Sequence, residues 1–271
     1  MSENRIDARF AALRERNETA FIPYITAGDP TLARTEEIVY ALEAAGADIV
    51  EFGVPFSDPI GDGTVNQEAA QRALANGVNL RDIFALIARI REKSQLPILL
   101  FTYYNPVLVY GCEAFAKDAA AAGADGVLCV DLPPEEADDY RAALDAHGLR
   151  TVFLLAPTST DARIELIARQ STGFIYYVSR LGVTGAQAEL AADLGEALAR
   201  VKRHTDKPVA VGFGISTPEQ ARKVGGMTEG VVVGSAIVRL IAELGDSEAT
   251  APRVGEFVKS LVDAAKNLRD A

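Results

Sequence analysis

Eight short apolar segments, separated by segments with the periodicity of helices, constrain the fold of this chain more than any other feature. The apolar segments are rich in Val, Ile, Tyr and Phe, and they predict β-strands at residues 21–27, 48–52, 97–103, 126–130, 151–155, 174–178, 208–212 and 230–233. Continuous apolar strands that alternate with helices are typical of a parallel sheet covered by helices. Eight such units of about 30 residues match the repeat of a (β/α)8 barrel.

The chain has 271 residues, and barrels of this class form single domains of about 250 residues. No linker or low-complexity segment interrupts the pattern. We therefore predict an α/β protein with one (β/α)8 TIM-barrel domain over residues 1–271, and an extra helix over residues 2–15 before the first strand. A doubly wound open sheet is the alternative fold.

Charge and composition exclude several classes of function. The formal net charge of −11 disfavours nucleic acid and anionic membranes as partners. The two cysteines and two histidines, Cys112, Cys129, His147 and His204, have no zinc-ligand spacing, so we expect no metal. The charged N-terminus does not resemble a signal peptide, and no long apolar stretch occurs, which predicts a cytoplasmic protein with reduced thiols.

The functional groups of a (β/α)8 barrel lie at the C-terminal ends of the strands. Glu51 lies at this end of the second predicted strand, inside an otherwise apolar run. Desolvation there raises the pKa of a carboxyl group and suits it to carry a proton at neutral pH. The alternative for Glu51 is a buried ion pair. The Gly- and Pro-rich loop that follows holds Asp58 and Asp62, which could equally be turn-forming residues.

Glycines follow the last three predicted strands. Gly185 lies in the loop after strand six, Gly214 follows strand seven, and Gly234 and Ser235 begin the helix after strand eight. Glycines allow close backbone approach, and the free N–H groups of a helix N-terminus bind anions, so this end of the barrel predicts a phosphate site. No lysine follows a strand end, which disfavours a Schiff-base aldolase.

The segments FIPYITAGDP, IVEFGVPFSDPIGDG, YYNPVLVYG, ADGVLCVDLPPEE, YYVSRLGVTG, VGFGIST and VVVGSAIV resemble, in order and spacing, the tryptophan synthase alpha chain family. The resemblance spans nearly the whole chain. It implies a (β/α)8 barrel lyase that cleaves indole-3-glycerol phosphate into indole and glyceraldehyde 3-phosphate by a retro-aldol reaction. It also implies a partner, the beta chain, which binds pyridoxal phosphate and consumes the indole in an α2β2 tetramer, whereas the alpha chain needs no cofactor.

The resemblance also implies roles for individual residues. Glu51 matches the catalytic glutamate, which protonates C3 of the indole ring and carries the proton of the substrate hydroxyl. Asp62 matches the catalytic aspartate, which engages the indole N–H, and Asp58 matches a contact with the beta chain. The substrate pocket corresponds to Phe21 or Ile22, of which we choose Ile22, and to Leu100, Tyr103, Leu128, Tyr176 and the lid residue Thr184. The phosphate site corresponds to Gly185, Phe213, Gly214, Gly234 and Ser235.

The chain departs from the family pattern after Asp62. The family usually reads DPxADGPxIQ, whereas this sequence reads DPIGDGTVNQ, so Gly61, Thr64 and Asn66 replace Ala, Pro and an aliphatic residue. Leu181 in the predicted lid also replaces a small or polar residue. Asn66 is expected either to face the indole ring or to support the backbone around Asp62.

Three other functions are considered. The chain could be a stand-alone indole-3-glycerol phosphate lyase, a subunit that chiefly activates its partner and has weakened catalysis, or another phosphate-binding barrel such as a sugar-phosphate isomerase. The presence of Glu51 and Asp62 disfavours decayed catalysis, and the absence of His or Lys at the strand ends disfavours the isomerase.

Overall fold

The strands form a closed parallel barrel in a computed structural model that describes residues 3–179, 187–212 and 214–266. The strands are β1 Ala20–Thr26, β2 Val50–Gly53, β3 Ile98–Thr102, β4 Gly126–Cys129, β5 Arg150–Leu155, β6 Ile175–Val178, β7 Val209–Gly212 and β8 Gly230–Val233. Each strand pairs with the next in sequence, and β8 pairs with β1. The predicted barrel is confirmed, and the closure excludes the open-sheet alternative.

Apart from the first helix, the helices follow the strands and cover the outside of the barrel. They are α1 Arg5–Arg16, α2 Leu32–Ala44, α3 Thr64–Ala75, α4 Leu80–Arg91, α5 Tyr104–Tyr110, α6 Cys112–Ala122, α7 Asp138–Ala146, α8 Asp161–Gln170, α9 Gln187–Lys202, α10 Pro218–Gly225, α11 Ser235–Leu244 and α12 Thr250–Lys266. None of the described helices is long and apolar enough to cross a membrane. The extra N-terminal helix is α1, which precedes β1 as predicted.

Successive side chains along each strand point alternately into the barrel and out towards the helices. On β1, Ile22 and Tyr24 belong to the inner cluster of buried side chains, whereas Phe21 belongs to the outer cluster. On β3, Phe101 points inward and Leu100 points outward. Only the inward set can reach a ligand at the C-terminal end of the barrel.

Helix α1 covers the opposite end, where the strands begin. Its apolar residues Ile6, Phe10 and Leu13 are buried in the inner cluster. Arg5 pairs with Asp125, the residue before β4, at 2.8 Å. The Asn4 side chain accepts a hydrogen bond from the backbone N–H of Ile6 and caps the helix. The interior is therefore filled from below and remains open to ligands at the strand C-termini.

Two helical segments have a proline near their start. The segment after β4 begins with a 3-10 turn, Pro134–Glu136, and α7 follows at Asp138. Helix α12 starts at Thr250, ahead of Pro252, because proline is tolerated in the first turn of a helix, where its missing N–H has no helical partner.

Candidate active site

A cavity of about 270 Å³ lies at the C-terminal end of the barrel. It is lined by Tyr24, Glu51, Asp62, Gly63, Thr64, Val65, Asn66, Phe101, Tyr176, Gly214, Ile215, Val232, Gly234, Ser235 and Arg239. The lining therefore combines an aromatic and aliphatic wall with two carboxyl groups, and it extends to the glycines after β7 and β8. An apolar ring and a charged group can be held in one cavity of this composition.

Glu51 is buried in the wall of this cavity. It is 1% exposed, and its backbone lies between Tyr24 on β1 and Leu99 on β3. Neither carboxyl oxygen has a hydrogen-bond partner among the described residues. Burial raises the pKa of Glu51 to about 8, because a desolvated carboxylate is unfavourable. The side chain is therefore protonated at neutral pH and points into the barrel, because its neighbours Val50 and Phe52 belong to the outer cluster. No described residue forms the ion pair that was its alternative.

Asp62 lies in the loop between β2 and α3 and lines the same cavity. The Tyr103 hydroxyl donates to its Oδ2 at 3.0 Å, and the Gln67 amide donates to its backbone carbonyl at 2.8 Å. Burial raises the pKa of the Asp62 carboxyl above its usual value, and the hydrogen bond from Tyr103 and the nearby Asn66 amide oppose this rise. These donors favour the ionised form, so Glu51 and Asp62 differ in their environments and are suited to different roles.

Gly61 allows Tyr103 to approach the loop. The backbone N–H of Gly61 donates to the Tyr103 hydroxyl at 2.9 Å. A Cβ atom at position 61 would lie 3.1 Å from this hydroxyl and 3.0 Å from a methyl group of Val130, closer than side chains normally pack. Glycine in place of alanine at position 61 therefore leaves room for the Tyr103 ring, whose hydroxyl is bonded to Asp62.

Asn66 lies on the first turn of α3 and lines the cavity next to Asp62. Its side-chain amide lies close enough to the Asp62 carboxyl to lower the pKa of that group. Its Oδ1 atom is buried and has no hydrogen-bond partner within the described part of the chain. The expected hydrogen bond from the Asn66 side chain to the backbone around Asp62 is absent among the described residues, and the Gln67 side chain makes that bond instead. The contact of Asn66 with the indole ring stays a prediction.

The rest of the cavity lining includes backbone of the segments after β7 and β8 and one positively charged side chain, Arg239. Gly214 has a φ of +83°, a conformation that favours glycine. Gly234 precedes α11, and Ser235 is the first residue of that helix. The first N–H groups of a helix have no helical acceptor and can bind an anion. Arg239 lies one turn further along α11 and lines the same cavity, and it has no ion-pair partner among the described residues.

Two tyrosines frame the ligand space, and each requires a glycine on the neighbouring strand. A Cβ atom on Gly53 would lie 2.2 Å from the Tyr24 hydroxyl, and one on Gly212 would lie 2.2 Å from the Tyr176 hydroxyl. These distances are too short for any side chain, so the last residues of β2 and β7 must be glycine for the two rings to adopt these positions.

The structure brings many of the predicted site residues together, although not all of them line the cavity. The cavity is lined by Glu51, Asp62, Tyr176, Gly214, Gly234 and Ser235. Tyr103 contacts the site through its hydrogen bond to Asp62. Ile22 and Leu128 lie in the inner cluster but not in the cavity lining. Thr184, Gly185 and Phe213, as well as Leu181, lie outside the described residues.

The prediction that Leu100 lines the pocket is wrong on geometric grounds, because Leu100 points into the outer layer. The inward residue on β3 is its neighbour Phe101. Similarly, Tyr24 lines the cavity, two residues beyond Ile22 on the same face of β1. The alternation of the strands, together with the rule that ligands bind at strand C-termini, could have found both residues.

Asp58 lies away from the cavity lining, on the exposed tip of the same loop. The Ser57 hydroxyl donates to its Oδ2 at 2.6 Å. Ile60, two residues later, is 89% exposed, and Val109 on α5 is 78% exposed. A groove beside this loop is lined by Phe56, Pro106, Val109 and Tyr110, among others.

The fold and the site together define a class of protein, the (β/α)8 barrel enzymes in which carboxyl groups and a helix N-terminus line one cavity. A family model described as "Tryptophan synthase alpha chain" matches residues 10–266. The chain therefore belongs to the tryptophan synthase alpha chain family, and it is an enzyme that cleaves indole-3-glycerol phosphate in tryptophan biosynthesis.

Similar proteins agree with this assignment. The tryptophan synthase alpha chain of Geobacter sp. (strain M21) is 52% identical over 258 residues, which cover 95% of this chain and 96% of the relative. The alpha chain of Opitutus terrae is 48% identical, with 97% and 99% covered. The crystal structure of the alpha chain from Legionella pneumophila subsp. pneumophila has a TM-score of 0.90 at 34% identity, with both chains fully covered. A chain of tryptophan synthase from M. tuberculosis has a TM-score of 0.87 at 35% identity, with 97% and 100% covered.

Proposed function

We propose that Glu51 is the proton carrier of the retro-aldol cleavage. The single observation that supports this role is a carboxyl group that is 1% exposed, lines the cavity and has no hydrogen-bond partner among the described residues. A buried carboxylic acid that remains protonated at neutral pH is suited to general acid catalysis.

The proposed step returns Glu51 to its starting state. The protonated Glu51 delivers its proton to C3 of the indole ring. The bond between C3 and the glycerol chain then breaks, and its electrons return to the ring as the neighbouring hydroxyl of the chain becomes the aldehyde. The Glu51 carboxylate takes the hydroxyl proton. The products are indole and glyceraldehyde 3-phosphate, and no external acid or base is consumed.

Asp62 supplies the negative charge in this proposal. Protonation at C3 leaves positive charge on the ring, and this charge is greatest near the ring nitrogen. An ionised carboxylate held beside the N–H stabilises that charge in the transition state more than in the ground state, which accelerates the reaction. The hydrogen bonds to Asp62 support this role because they keep the carboxylate in one position.

The substrate phosphate is assigned to the far side of the cavity. Gly214, Gly234 and Ser235 present backbone there, and Arg239 adds a positive charge that sequence analysis did not identify. Thr184, Gly185 and Phe213 complete the site in the proposal on the basis of the family resemblance alone. Residues 1–271 then act as a single catalytic domain in the cytoplasm.

A beta chain is the proposed partner, and the α2β2 tetramer is the proposed assembly. The exposed apolar residues Ile60, Leu108 and Val109, which are 89%, 57% and 78% exposed, support a contact surface that includes Asp58. Val109 lines the same groove as Phe56, which belongs to the loop that carries Asp58 and Ile60, and exposed apolar patches mark interaction surfaces. Pyridoxal phosphate belongs to the partner in this proposal, and the alpha chain carries no cofactor of its own.

Cleavage of indole-3-glycerol phosphate by the purified chain, alone and with a cognate beta chain, tests the proposal. Glu51→Gln keeps the shape of the side chain but cannot carry the proton, so we expect turnover to fall by about 10²–10⁴-fold. Binding of glyceraldehyde 3-phosphate should remain. Near-normal turnover by this variant contradicts the assignment of Glu51.

The same assay separates the alternatives. A tetramer subunit is expected to turn over slowly alone and faster with the beta chain, whereas a stand-alone lyase is equally active without it. A subunit with decayed catalysis shows no Glu51-dependent cleavage under either condition. The charge reversal Asp58→Lys should weaken association with the beta chain and leave the activity of the isolated chain unchanged, since Asp58 is exposed and outside the cavity lining.

A further inference from the structure

An ion pair outside the cavity lining joins the loop after β1 to helix α3. Arg72 on α3 donates from two nitrogens to the two carboxyl oxygens of Asp29, at 2.8 and 2.9 Å. Asp29 is 2% exposed, and a carboxylate buried this deeply requires such a partner. A pair of parallel hydrogen bonds also fixes the relative orientation of the two groups. The contact therefore holds α3 in one place relative to the loop.

Two further contacts reinforce this junction. Asn76, the C-cap of α3, donates from its side-chain amide to the Pro30 carbonyl at 2.7 Å. Val78, just after the helix, packs on Gly28, where a Cβ atom would lie 2.6 Å from a Val78 methyl group. The C-terminal half of α3 is thus held against the loop after β1 by an ion pair, a hydrogen bond and close packing.

The N-terminal half of α3 holds the loop that carries Asp62. The Gln67 amide donates to the Asp62 carbonyl at 2.8 Å and to the Pro59 carbonyl at 3.4 Å. The backbone N–H of Asp62 donates to the same Pro59 carbonyl at 3.0 Å, which closes a four-residue turn. Gln67 therefore binds both ends of this turn, and the position of Asp62 depends on where α3 places Gln67.

The ion pair and the Gln67 contacts lie on one helix of 12 residues. Arg72 follows Gln67 by five positions, which corresponds to about 7.5 Å along the helix axis. The backbone hydrogen bonds of so short a helix make it move as a unit. If α3 shifts against the loop after β1, Gln67 shifts with it and displaces the turn that carries Asp62.

We propose that Arg72 and Asp29 are positioning residues for the lyase reaction, because their ion pair fixes α3 on the barrel and Gln67 transmits this position to Asp62. The inference rests on the proposed function, since it takes Asp62 as a catalytic group. Neither Arg72 nor Asp29 belongs to the cavity lining. Their effect on turnover is therefore indirect and acts through the placement of the Asp62 carboxyl.

The first test is Arg72→Met, which keeps the apolar part of the side chain and removes its donors. We expect kcat to fall by about threefold to tenfold, because small displacements of a catalytic group are costly. KM should change by less than about twofold, since the residues that line the cavity are unchanged. Arg72→Lys, which keeps the charge and one donor, should recover part of kcat.

Hydrogen exchange at the Asp62 backbone N–H gives a readout that needs no activity. This N–H is bonded to Pro59 in the turn that Gln67 holds, so loosening of α3 should open the turn and speed the exchange. We expect faster exchange at Asp62 in Arg72→Met and in Gln67→Met. Unchanged exchange in Arg72→Met overturns the inference.

A double-mutant cycle tests the route through Gln67. Gln67→Met alone should lower kcat, because it removes the donor to both ends of the turn. In this background Arg72→Met should lower kcat little further, since the link through which it acts is already lost. Independent losses, which multiply in the double variant, contradict the proposed route.

Arg91→Met is the matched control. Arg91 donates to Asp125 at 2.8 Å, and Asp125 is 3% exposed and precedes β4, at the end of the barrel opposite the cavity. This variant also loses an ion pair to a buried carboxyl group, but it should leave kcat and the exchange at Asp62 unchanged. Equal losses of kcat in Arg91→Met and Arg72→Met overturn the inference, because they reflect general destabilisation.

Asp62→Asn in parallel tests the proposed function separately. Near-normal turnover in that variant contradicts the role of Asp62 whatever Arg72 does. Impaired turnover in Asp62→Asn together with unchanged kcat in Arg72→Met contradicts the positioning role alone.

Discussion

The Tyr103 hydroxyl is hydrogen-bonded to Asp62 and to Gly61, the residue before it in the loop. It donates to Oδ2 of Asp62 at 3.0 Å and accepts from the backbone N–H of Gly61 at 2.9 Å. The ring also packs against Phe56 with 5.2 Å between ring centroids. A single side chain from the end of β3 thus fixes the position of a carboxyl group from the loop after β2.

Tyr103→Phe removes the hydroxyl and keeps the ring, so it separates this bond from the packing. We expect kcat to fall by about 10- to 100-fold, because a hydrogen bond to a charged group contributes about 1.5–3 kcal/mol and small displacements of a catalytic group are costly. The acid limb of the kcat/KM profile should also move to higher pH, since the Tyr103 bond lowers the pKa of Asp62. Steady-state cleavage assays between pH 5 and 9 measure both effects.

Tyr110→Phe provides the control for this prediction. The Tyr110 hydroxyl donates to Asp118 at 2.6 Å on the outer surface of the barrel, so the substitution removes a similar tyrosine–aspartate bond far from the cavity lining. It should change turnover little. If both variants lose activity equally, the loss reflects general destabilisation and not the position of Asp62.

The sequence was sufficient for the barrel but not for the full cavity lining. The eight apolar segments and the helices between them predicted the closed parallel sheet, because strand and helix periods are local properties of the chain. The choice of Ile22 and Leu100 required the register and depth of each strand. Leu100 belongs to the outer layer, and the cavity instead receives Tyr24 and Phe101. A shift of one residue reverses the direction of a strand side chain.

Asn66 and Arg239 show a second limit of sequence reasoning. The pattern identified Asn66 as a departure, but only the structure shows that its Oδ1 atom is buried without a hydrogen-bond donor among the described residues. Arg239 belongs to an ordinary helix segment in the sequence, and its contribution to the cavity depends on how α11 is placed over the barrel. Such relationships are tertiary, so no local motif predicts them.

The stability of the fold should depend on pH through Glu51. Its pKa is about 8 in the folded protein and near 4.5 when the side chain is solvated. Between these values the folded state holds a proton that the unfolded state has lost, so stability decreases as pH rises from about 4.5 to 8. Glu51→Gln removes this titration. The variant should be more stable than the parent at pH 8.5, and the difference should diminish towards pH 4.5.

The size of this change in stability follows from the difference between the pKa of Glu51 in the folded and in the unfolded protein. Each unit of pKa difference corresponds to about 1.4 kcal/mol, which predicts a gain of several kcal/mol above pH 8. For a chain of this length, each kcal/mol shifts the melting temperature by about 2–4 °C. Thermal denaturation of both proteins across this pH range measures the gain. A difference in melting temperature that is constant with pH contradicts the elevated pKa of Glu51.

The helix N-terminus at Gly234 should control binding of the phosphate. Gly234→Asp places a carboxylate where the substrate dianion is expected, and a Cβ atom at this position has only ordinary contact with Tyr24, at 3.4 Å. We expect binding of the substrate and of glyceraldehyde 3-phosphate to weaken by at least about tenfold, because like charges in a partly buried site repel strongly. Indole should bind nearly as before. Isothermal titration calorimetry with each ligand measures both dissociation constants.

Gly195→Asp on α9 is the matched control, because a Cβ atom there meets no neighbour within 4 Å. It adds the same charge without entering the cavity lining. Equal losses for indole and glyceraldehyde 3-phosphate in Gly234→Asp would indicate a disturbed fold, and would contradict a phosphate site at this helix.

Arg239 should contribute the positive charge of the phosphate site. Its side chain is exposed and lines the cavity with Gly234 and Ser235, and no carboxylate among the described residues neutralises it. Arg239→Met keeps the apolar part of the side chain and removes the charge. We expect the dissociation constant for glyceraldehyde 3-phosphate to rise by about threefold to tenfold, a modest change because solvent screens exposed charges. Indole binding should not change.

Salt dependence distinguishes this charge effect from a change of shape. At an ionic strength of about 1 M the screening length falls to about 3 Å, so the difference between the parent and Arg239→Met should largely disappear. Arg253→Met removes an arginine that is 62% exposed on α12, and it should leave glyceraldehyde 3-phosphate binding unchanged at every salt concentration. The defect of Arg239→Met could also persist undiminished in high salt. In that case Arg239 supports the site through packing, and its assignment as the phosphate counter-charge is wrong.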